Sequence, residues 1–248
     1  MIRVGRCVHD KKGKITYPQY PGFNPVIVMT YSHSDYWPLS PYLLKDDRGR
    51  IMENLWQFSK CYKSVPKSVQ RKSRYDKTII WEHDEEIHLD DNDMITDEYK
   101  NWRKKGMENE HPVRYPVGFD YRNQCKFALM ENTDGSINDV KLNYVQARKA
   151  IYLSLYCSMV KLKLQFKELQ VRLANNENLL IIEVDGPHQE SIEYYKNKYG
   201  VNDDFIEDNT MLVTEANINI MLNDDKHPFG HGYCLAMAVL NKDVEWNK

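Results

Sequence analysis

The stretch NYVQARKAIYLSLYCSMVKLKLQFKELQVRLA, residues 143–174, decides the fold, together with the strand-like run LLIIEVDGP, residues 179–187, that follows it. Within the first stretch, apolar residues recur every three or four positions from Val145 to Leu173, and no Gly or Pro interrupts them. This spacing predicts a long amphipathic helix, or two joined helices, with a stop at the two asparagines 175–176.

The run after this helix predicts a buried strand, Leu179 to Val184, that ends in the carboxylate of Asp185 and a Gly-Pro turn. Smaller elements surround it. They are a hairpin over Arg3–Tyr17 with its turn at Asp10–Gly13, a strand at Val26–Tyr31, a helix from Glu53 with Leu55, Phe58 and Tyr62 on one face, a strand at Met211–Asn219, and a terminal helix at Tyr233–Leu240. A long central helix with small β-elements indicates an α+β fold.

The chain has 248 residues, which is enough for one large domain with a core of its own. We find no clear internal boundary, so we predict a single domain over residues 1–248 with charged insertions at about 64–112 and 186–210. With 34 Lys and Arg against 36 Asp and Glu, the formal net charge is −2. No global excess of positive charge marks a nucleic-acid or membrane protein, so any such binding needs a local patch.

Five scattered cysteines without CxxC spacing argue against a disulfide framework or a cysteine-rich zinc site, and favour a reducing compartment. The first residues lack the apolar core of a secretory signal. The longest apolar stretch, Ala150 to Val160, has 11 residues, whereas a membrane helix needs about 20. We therefore predict a cytoplasmic protein with no membrane partner.

Two charge runs of opposite sign follow the helix that begins near Glu53. The basic run has seven cations: Lys60, Lys63, Lys67, Arg71, Lys72, Arg74 and Lys77. The acidic run has nine acids: Glu82, Asp84, Glu85, Glu86, Asp90, Asp91, Asp93, Asp97 and Glu98. Such runs usually form exposed faces or loops. The basic run also lies where its cations would hold phosphates if the Glu53 helix lines a site.

Familiar catalytic motifs are absent: we find no GxxxxGK[ST], GxGxxG, GxSxG or HExxH. His83 and His88 are five residues apart, which is not the spacing of two metal ligands on one helix face. His227 and His231 are four apart, but Pro228 and a glycine prevent a helix between them.

Three features remain that are able to carry chemistry. Glu53 begins an aromatic helix, where the helix dipole favours an ionised carboxylate or where an acid simply compensates that dipole. Asp185 lies at the end of the most apolar strand, where it is either a site residue or an ordinary turn-forming residue. The turn Gly230-His231-Gly232 leads into the last helix, where exposed N–H groups attract anions such as phosphate. Two acids and an anion cradle are the parts needed to hydrolyse a glycosidic bond in a phosphorylated sugar.

The segment DYWPLSPY, residues 35–42, then Gly49, then ENLWQFSK, residues 53–60, resembles the signature of the NADAR (NAD and ADP-ribose associated) superfamily. In that family a Leu-Ser segment precedes a glycine turn and a helix with Glu, Gln and Lys. The matching residues here are Leu39, Ser40, Glu53, Gln57 and Lys60. The order of later elements is also similar: a long helix, a strand reaching an Asp, and a glycine turn opening a last helix.

This resemblance implies an N-glycosidase that uses no metal or other cofactor, and that acts on ribosylamine-type intermediates or removes ADP-ribose from modified guanine in nucleic acid. It implies Glu53 as the catalytic residue and Asp185 as a weaker second. The residues implied to bind substrate are Ser40, Trp56, Gln57, Lys60, Tyr144 (by stacking), Gly230, His231 and Gly232. The part of the basic run from Lys63 to Arg74 would then contact the nucleic-acid backbone.

Two further hypotheses stay open. Pro41 and Asn54 replace an Asn and a His of the family signature, and the family's late Trp and Asn are missing, which favours a catalytically inactive module that binds a nucleotide or nucleic acid. The acidic run alternatively suggests an inhibitor that mimics DNA. The first hypothesis predicts reversal of nucleic-acid ADP-ribosylation, as in a phage counter-defence against an ADP-ribosylating toxin.

Overall fold

The computed structural model describes residues 1–9, 12–29, 34–73 and 75–247. Helices and small sheets are mixed along these residues, which confirms the predicted α+β class. Residue contacts divide the chain into two compact units: unit 1 is Met1–Leu44 with Leu153–Lys248, and unit 2 is Lys45–Tyr152. The single domain over residues 1–248 stays a prediction.

The strands in chain order are β1 (Ile2–Arg6), β2 (Val8–His9), β3 (Ile15–Thr16), β4 (Asn24–Ile27), β5 (Lys60–Cys61), β6 (Ser64–Val65), β7 (Ser68–Arg71), β8 (Ile79–His83), β9 (Glu86–Ile87), β10 (Phe127–Ala128), β11 (Leu179–Glu183) and β12 (Thr210–Leu212). The α-helices are α1 (Met52–Gln57), α2 (Asp97–Met107), α3 (Tyr144–Ala147), α4 (Ser154–Val160), α5 (Leu164–Ala174), α6 (Ile192–Tyr199), α7 (Glu215–Asn223) and α8 (His231–Val239).

Unit 1 is built on a four-stranded sheet with the order β12-β1-β11-β4. Strand β11 runs parallel to both of its neighbours, and β12 pairs antiparallel with β1. All five residues of β11 are buried, as expected for a parallel strand covered on both faces. Helix α8 packs against β1 and β11 and is buried from Gly232 to Val239. The two central strands of the sheet and helix α8 therefore share one core.

The N-terminal hairpin is smaller than predicted. Strand β1 pairs with β11 and β12, because four of its five residues are buried and need partners on both sides. Only β2 and β3 form a hairpin. Asp10 and Lys11 of the predicted turn lie outside the described residues, as do Thr30 and Tyr31 of the strand predicted at Val26–Tyr31, of which β4 is the described part.

The long helical stretch consists of two helices, which is one of the two predicted alternatives. Helix α3 continues through a π-helical segment into α4, which ends at Val160, and α5 begins at Leu164. A capping box at Asn143 defines the start. The stop is confirmed, since Asn176 takes a left-handed φ of 62° directly after α5.

Two predicted elements, a strand and a helix, end earlier in the structure than the sequence analysis predicted. The strand predicted at Met211–Asn219 stops at Leu212, because Thr214 accepts a hydrogen bond from the Asn217 N–H and thereby caps helix α7. Helix α1 ends at Gln57, so Tyr62 does not share its face. Residues 60–61 instead form β5, which pairs with β10.

Unit 2 takes its aromatic core partly from the segment that we predicted as a charged insertion. The Phe58 ring centre lies 4.6 Å from those of Trp81 and Trp102. Strand β8 alternates, with Trp81 and His83 buried and Glu82 exposed between them. Helix α2, capped by Thr96, supplies Trp102. Most acids of the acidic run are therefore exposed, and the run is flanked by two tryptophans, Trp81 and Trp102, that pack in the core of unit 2.

None of the helices in the described ranges is both long and apolar enough to cross a membrane. Each of the five cysteines is free, and four of them are buried. The prediction that they form no disulfide framework is therefore confirmed.

Candidate functional site

Helix α1 holds Glu53 in the interior of unit 2, where the side chain is only 6% exposed. Glu53 Oε1 accepts a 2.9 Å hydrogen bond from Gln57 Nε2, and Gln57 Oε1 accepts a 2.8 Å bond from Lys60 Nζ. Positions i and i+4 lie on one helix face, which brings Glu53 and Gln57 together. We name these three residues the Glu53 triad. Three of the five residues that carry the NADAR resemblance are thus linked by hydrogen bonds.

Lys60 is the cation of the triad. Burial lowers the pKa of Lys60, and the negative charge of Glu53 acts in the opposite direction. The Lys60 Nζ also lies 4.7 Å from the centre of the Trp56 ring, a cation–π distance. Burying a charged group costs free energy unless the group is paired. The burial of this polar arrangement in unit 2 therefore carries a desolvation cost. Such arrangements are more common at functional sites than in ordinary cores.

Tyr144, which the resemblance implies as a stacking ring, begins helix α3 and is 45% exposed. The guanidinium carbon of Arg148, one turn later, lies 4.6 Å from the centre of this ring, and Arg148 is almost fully buried. A cation packed against one face stabilises the ring orientation. Trp56 is 9% exposed and packs against Tyr152 with 5.2 Å between ring centres. Tyr144 therefore offers surface for stacking, whereas Trp56 is mainly a packing residue.

Unit 1 has a buried acid that sequence reasoning missed. Strand β11 ends at Glu183, whose exposure is 0%, and the predicted Asp185 lies two residues beyond the strand. Gly186 then passes close to β1, since a Cβ there would lie 2.8 Å from the Gly5 carbonyl oxygen. The sequence did contain a signal for this acid, since Glu183 lies within an apolar run. Glu is almost never fully buried unless it is paired, so a glutamate in such a run indicates a buried partner.

The glycine turn at the start of α8 binds this acid. Glu183 Oε1 accepts a 2.8 Å hydrogen bond from the Gly232 N–H, and Oε2 lies 3.1 Å from His231 Nδ1. A Cβ on Gly230 would lie 2.0 Å from Oε2. The helix N-terminus that we predicted as a cradle for substrate phosphate is therefore already matched with a carboxylate from the same chain.

Ser40 lies at the end of a short 3₁₀ helix, Trp37–Leu39, and is 3% exposed. Its Oγ accepts a 3.3 Å hydrogen bond from the Tyr42 N–H. The Leu39 carbonyl next to it accepts a 2.8 Å bond from the Tyr156 hydroxyl. These contacts give Ser40 a structural role in the turn, and its contact with substrate stays a prediction.

The predicted site residues thus fall into two groups. Unit 2 contains Glu53, Trp56, Gln57, Lys60 and Tyr144. Unit 1 contains Ser40, Asp185, Gly230, His231 and Gly232. Within each unit the structure brings some of them together: the triad in unit 2, and the glycine turn in unit 1. The common pocket for Glu53 and the glycine turn stays a prediction.

The two histidines of the acidic run contact neighbouring oxygen atoms. The ring nitrogens of His83 lie 2.7 Å and 2.9 Å from the carbonyl oxygens of Asp84 and Pro116. His88 Nε2 lies 3.2 Å from a Glu86 carboxylate oxygen. Within the part of the chain that the structure describes, no group of three or more His, Cys, Asp and Glu residues is arranged to hold a metal ion.

We expect the protein to lose stability as the pH rises above about 6.5, because of His231. Burial alone would lower the pKa of His231. The negative charge of Glu183 and the hydrogen bond between the two side chains act in the opposite direction and raise the pKa of His231 above 6.5. The resulting stabilisation is fully present below the unfolded-state pKa and is lost as the pH rises through the folded-state pKa. Each unit of pKa shift corresponds to about 1.4 kcal/mol.

Urea unfolding between pH 5.5 and 9 measures this effect. The loss of stability with rising pH should be smaller in His231→Asn than in the wild type. The control His9→Asn removes an exposed histidine and should retain the wild-type slope. Equal slopes for His231→Asn and the wild type would contradict the prediction.

Comparison with known protein families, with curated proteins and with solved structures gives no match for this chain.

Proposed function

We propose that this protein is an N-glycosidase that removes ADP-ribose from modified guanine in nucleic acid, or that cleaves a related ribosylamine-type bond. One observation carries the proposal: the Glu53 carboxylate is buried and is bound by Gln57, which in turn is bound by Lys60. A carboxylate shielded from water stabilises a developing positive charge more strongly than one in bulk solvent. The triad therefore has the electrostatic character that N-glycoside cleavage needs.

The reaction changes two bonds at the anomeric carbon of the ribose. The carbon–nitrogen bond breaks with its electron pair going to nitrogen, and the sugar takes on oxocarbenium character. Water then attacks the anomeric carbon and gives a proton to a base, while the leaving nitrogen gains a proton. In this scheme Glu53 stabilises the cation and accepts the proton of the water. Gln57 and Lys60 are positioning residues that orient the carboxylate.

Tyr144 supports a substrate with a flat ring system. Its ring is 45% exposed and has Arg148 against it, so a base or a nicotinamide-sized ring has a surface for stacking. Asp185 remains the weaker second acid of the proposal. Because Glu183 accepts from the Gly232 N–H, binding of a diphosphate by the glycine turn would require that contact to open.

The test is Glu53→Gln, assayed on a guanine oligonucleotide that carries ADP-ribose. We expect the variant to fold and to bind ADP-ribose but to release it at least about 100-fold more slowly, as is typical when a general acid–base group is lost. The control Glu85→Gln removes an exposed acid of the same unit and should keep the wild-type rate. Unchanged release by Glu53→Gln would reject the proposal. Wild-type protein that binds the modified strand and leaves it intact would favour the inactive binding module.

A further inference from the structure

Strands β7 and β8 form a two-stranded antiparallel ribbon in unit 2, with Ser68 opposite His83 and Arg71 opposite Ile79. We name residues 68–83 the β7–β8 ribbon. Every described residue from 71 to 79 is exposed, and Arg74 lies outside the described residues. The outer half of the ribbon is therefore an arm that reaches into solvent.

The described residues near the end of the arm are linked by hydrogen bonds. The Lys72 N–H donates to the Thr78 carbonyl at 3.3 Å, and the Asp76 N–H donates to Ser73 Oγ at 2.9 Å. At its base, the indole N–H of Trp81 donates to the Pro116 carbonyl at 3.0 Å. The inner half is thus anchored in the aromatic core of unit 2.

Charge is unevenly distributed along the ribbon. The exposed outer half has three described cations, Arg71, Lys72 and Lys77, against one acid, Asp76. Asp76 accepts from the Thr78 N–H at 3.0 Å, so the acid also serves the turn. Among the described residues, Arg71 and Lys77 make no ion pair, and they are free to neutralise an external anion. Several exposed cations close together in the chain are what a polyanion recognises.

Apolar side chains are interspersed with these cations. Val69 and Ile79 are 41% and 43% exposed, and the Tyr75 ring is 79% exposed. A free anionic metabolite needs few such contacts. Nucleic acid, by contrast, offers thymine methyl groups, sugars and base faces beside its phosphates.

We propose that the outer half of the β7–β8 ribbon enters the major groove of duplex DNA, with its cations on the flanking phosphates. The B-form major groove is about 12 Å wide and admits a two-stranded ribbon, whereas the major groove of A-form RNA is too narrow. The inference deepens the proposed function by naming duplex DNA as the carrier of the modified base. It rests on that function for its purpose, but the binding itself is independent of Glu53.

Fluorescence anisotropy with an unmodified DNA duplex tests the proposal. The triple variant Arg71→Ala/Lys72→Ala/Lys77→Ala should bind at least 10-fold more weakly at 0.1 M salt. The slope of log K against log salt should fall in magnitude by about 2 to 3, because each lost phosphate contact contributes about 0.9. The matched control Lys45→Ala/Lys104→Ala/Lys167→Ala removes three other exposed lysines and should bind within about 2-fold of the wild type.

Three outcomes would overturn the inference: wild-type protein that does not bind duplex DNA, equal losses in the two triple variants, or equal affinity for DNA and RNA duplexes. Single-stranded DNA should bind more weakly than the duplex, and stronger binding to the single strand would also count against groove insertion. The two proposals fail separately. Wild-type protein that binds duplex DNA but releases no ADP-ribose from it rejects only the glycosidase, whereas wild-type protein that releases ADP-ribose but does not bind duplex DNA rejects only the role of the ribbon.

Discussion

Gly230→Ala should lower the free energy of unfolding by about 3–5 kcal/mol, a large fraction of the about 5–15 kcal/mol that is typical of native proteins. The Gly230 backbone is extended, with φ of −81° and ψ of 175°, so alanine meets no backbone strain there. Its methyl carbon would, however, lie 2.0 Å from Glu183 Oε2 and 2.4 Å from Oε1. The carboxylate has to move, and it then loses the Gly232 N–H and His231. Depriving a buried charge of its partners costs about 3–5 kcal/mol.

Chemical denaturation monitored by circular dichroism measures this loss of stability, and a double-mutant cycle identifies its cause. Glu183→Ala should itself be destabilising, since it leaves His231 and the start of α8 without their acceptor. In that background the Gly230→Ala change should cost less than about 1 kcal/mol, because the clashing carboxylate is gone. Additive losses from the two changes would show that the clash is not responsible.

Gly106→Ala should lower the free energy of unfolding by about 2 kcal/mol, although helix propensity predicts the opposite sign. Alanine in the interior of a helix is favoured over glycine by about 1 kcal/mol. Gly106 lies in α2, and a Cβ there would lie 2.0 Å from two carbons of the Phe58 ring. That ring is held between Trp81 and Trp102, so it has no open side toward which to shift. Overpacking of this kind costs about 1–3 kcal/mol and sometimes more.

Thermal and denaturant unfolding of the variant provide the measurement. Asn101→Ala, at an exposed position of the same helix, is the control and should change stability by less than about 0.5 kcal/mol. In a Phe58→Leu background the Gly106→Ala change should be markedly milder, because the smaller side chain relieves the overlap. A gain in stability from Gly106→Ala alone would contradict the packing argument.

Local spacing was sufficient to predict those parts of the fold in which neighbouring residues decide the structure. The α+β class, the stop at Asn176 and the apolar strand before Asp185 all follow from periodicity and turn chemistry. The link between Glu53 and Gln57 belongs to the same class, since positions i and i+4 of a helix are adjacent whatever surrounds them. These features need no knowledge of distant residues.

Distant partners account for the errors. The sequence pattern of β1 predicts the first strand of a hairpin. In the structure, one of its partners is β11, which is more than 170 residues away in the chain. The strand predicted at Met211–Asn219 becomes a helix as soon as Thr214 caps it. Periodicity within a short window cannot distinguish a strand with remote partners from one strand of a local hairpin, because the window contains no information about the pairing partner.

The sequence by itself determined the class of the fold, the long helical stretch and the composition of the Glu53 triad, because each depends on residues within a few positions of one another. Only the tertiary structure decided that the glycine turn binds Glu183 and that the tryptophans of the charged segment form a core. These features bring together groups that are 49 residues apart, as Glu183 and Gly232 are, or that lie on separate elements, as Phe58, Trp81 and Trp102 do. Hydrogen bonding and packing act over ångströms in space, and sequence distance carries no information about which remote groups will meet.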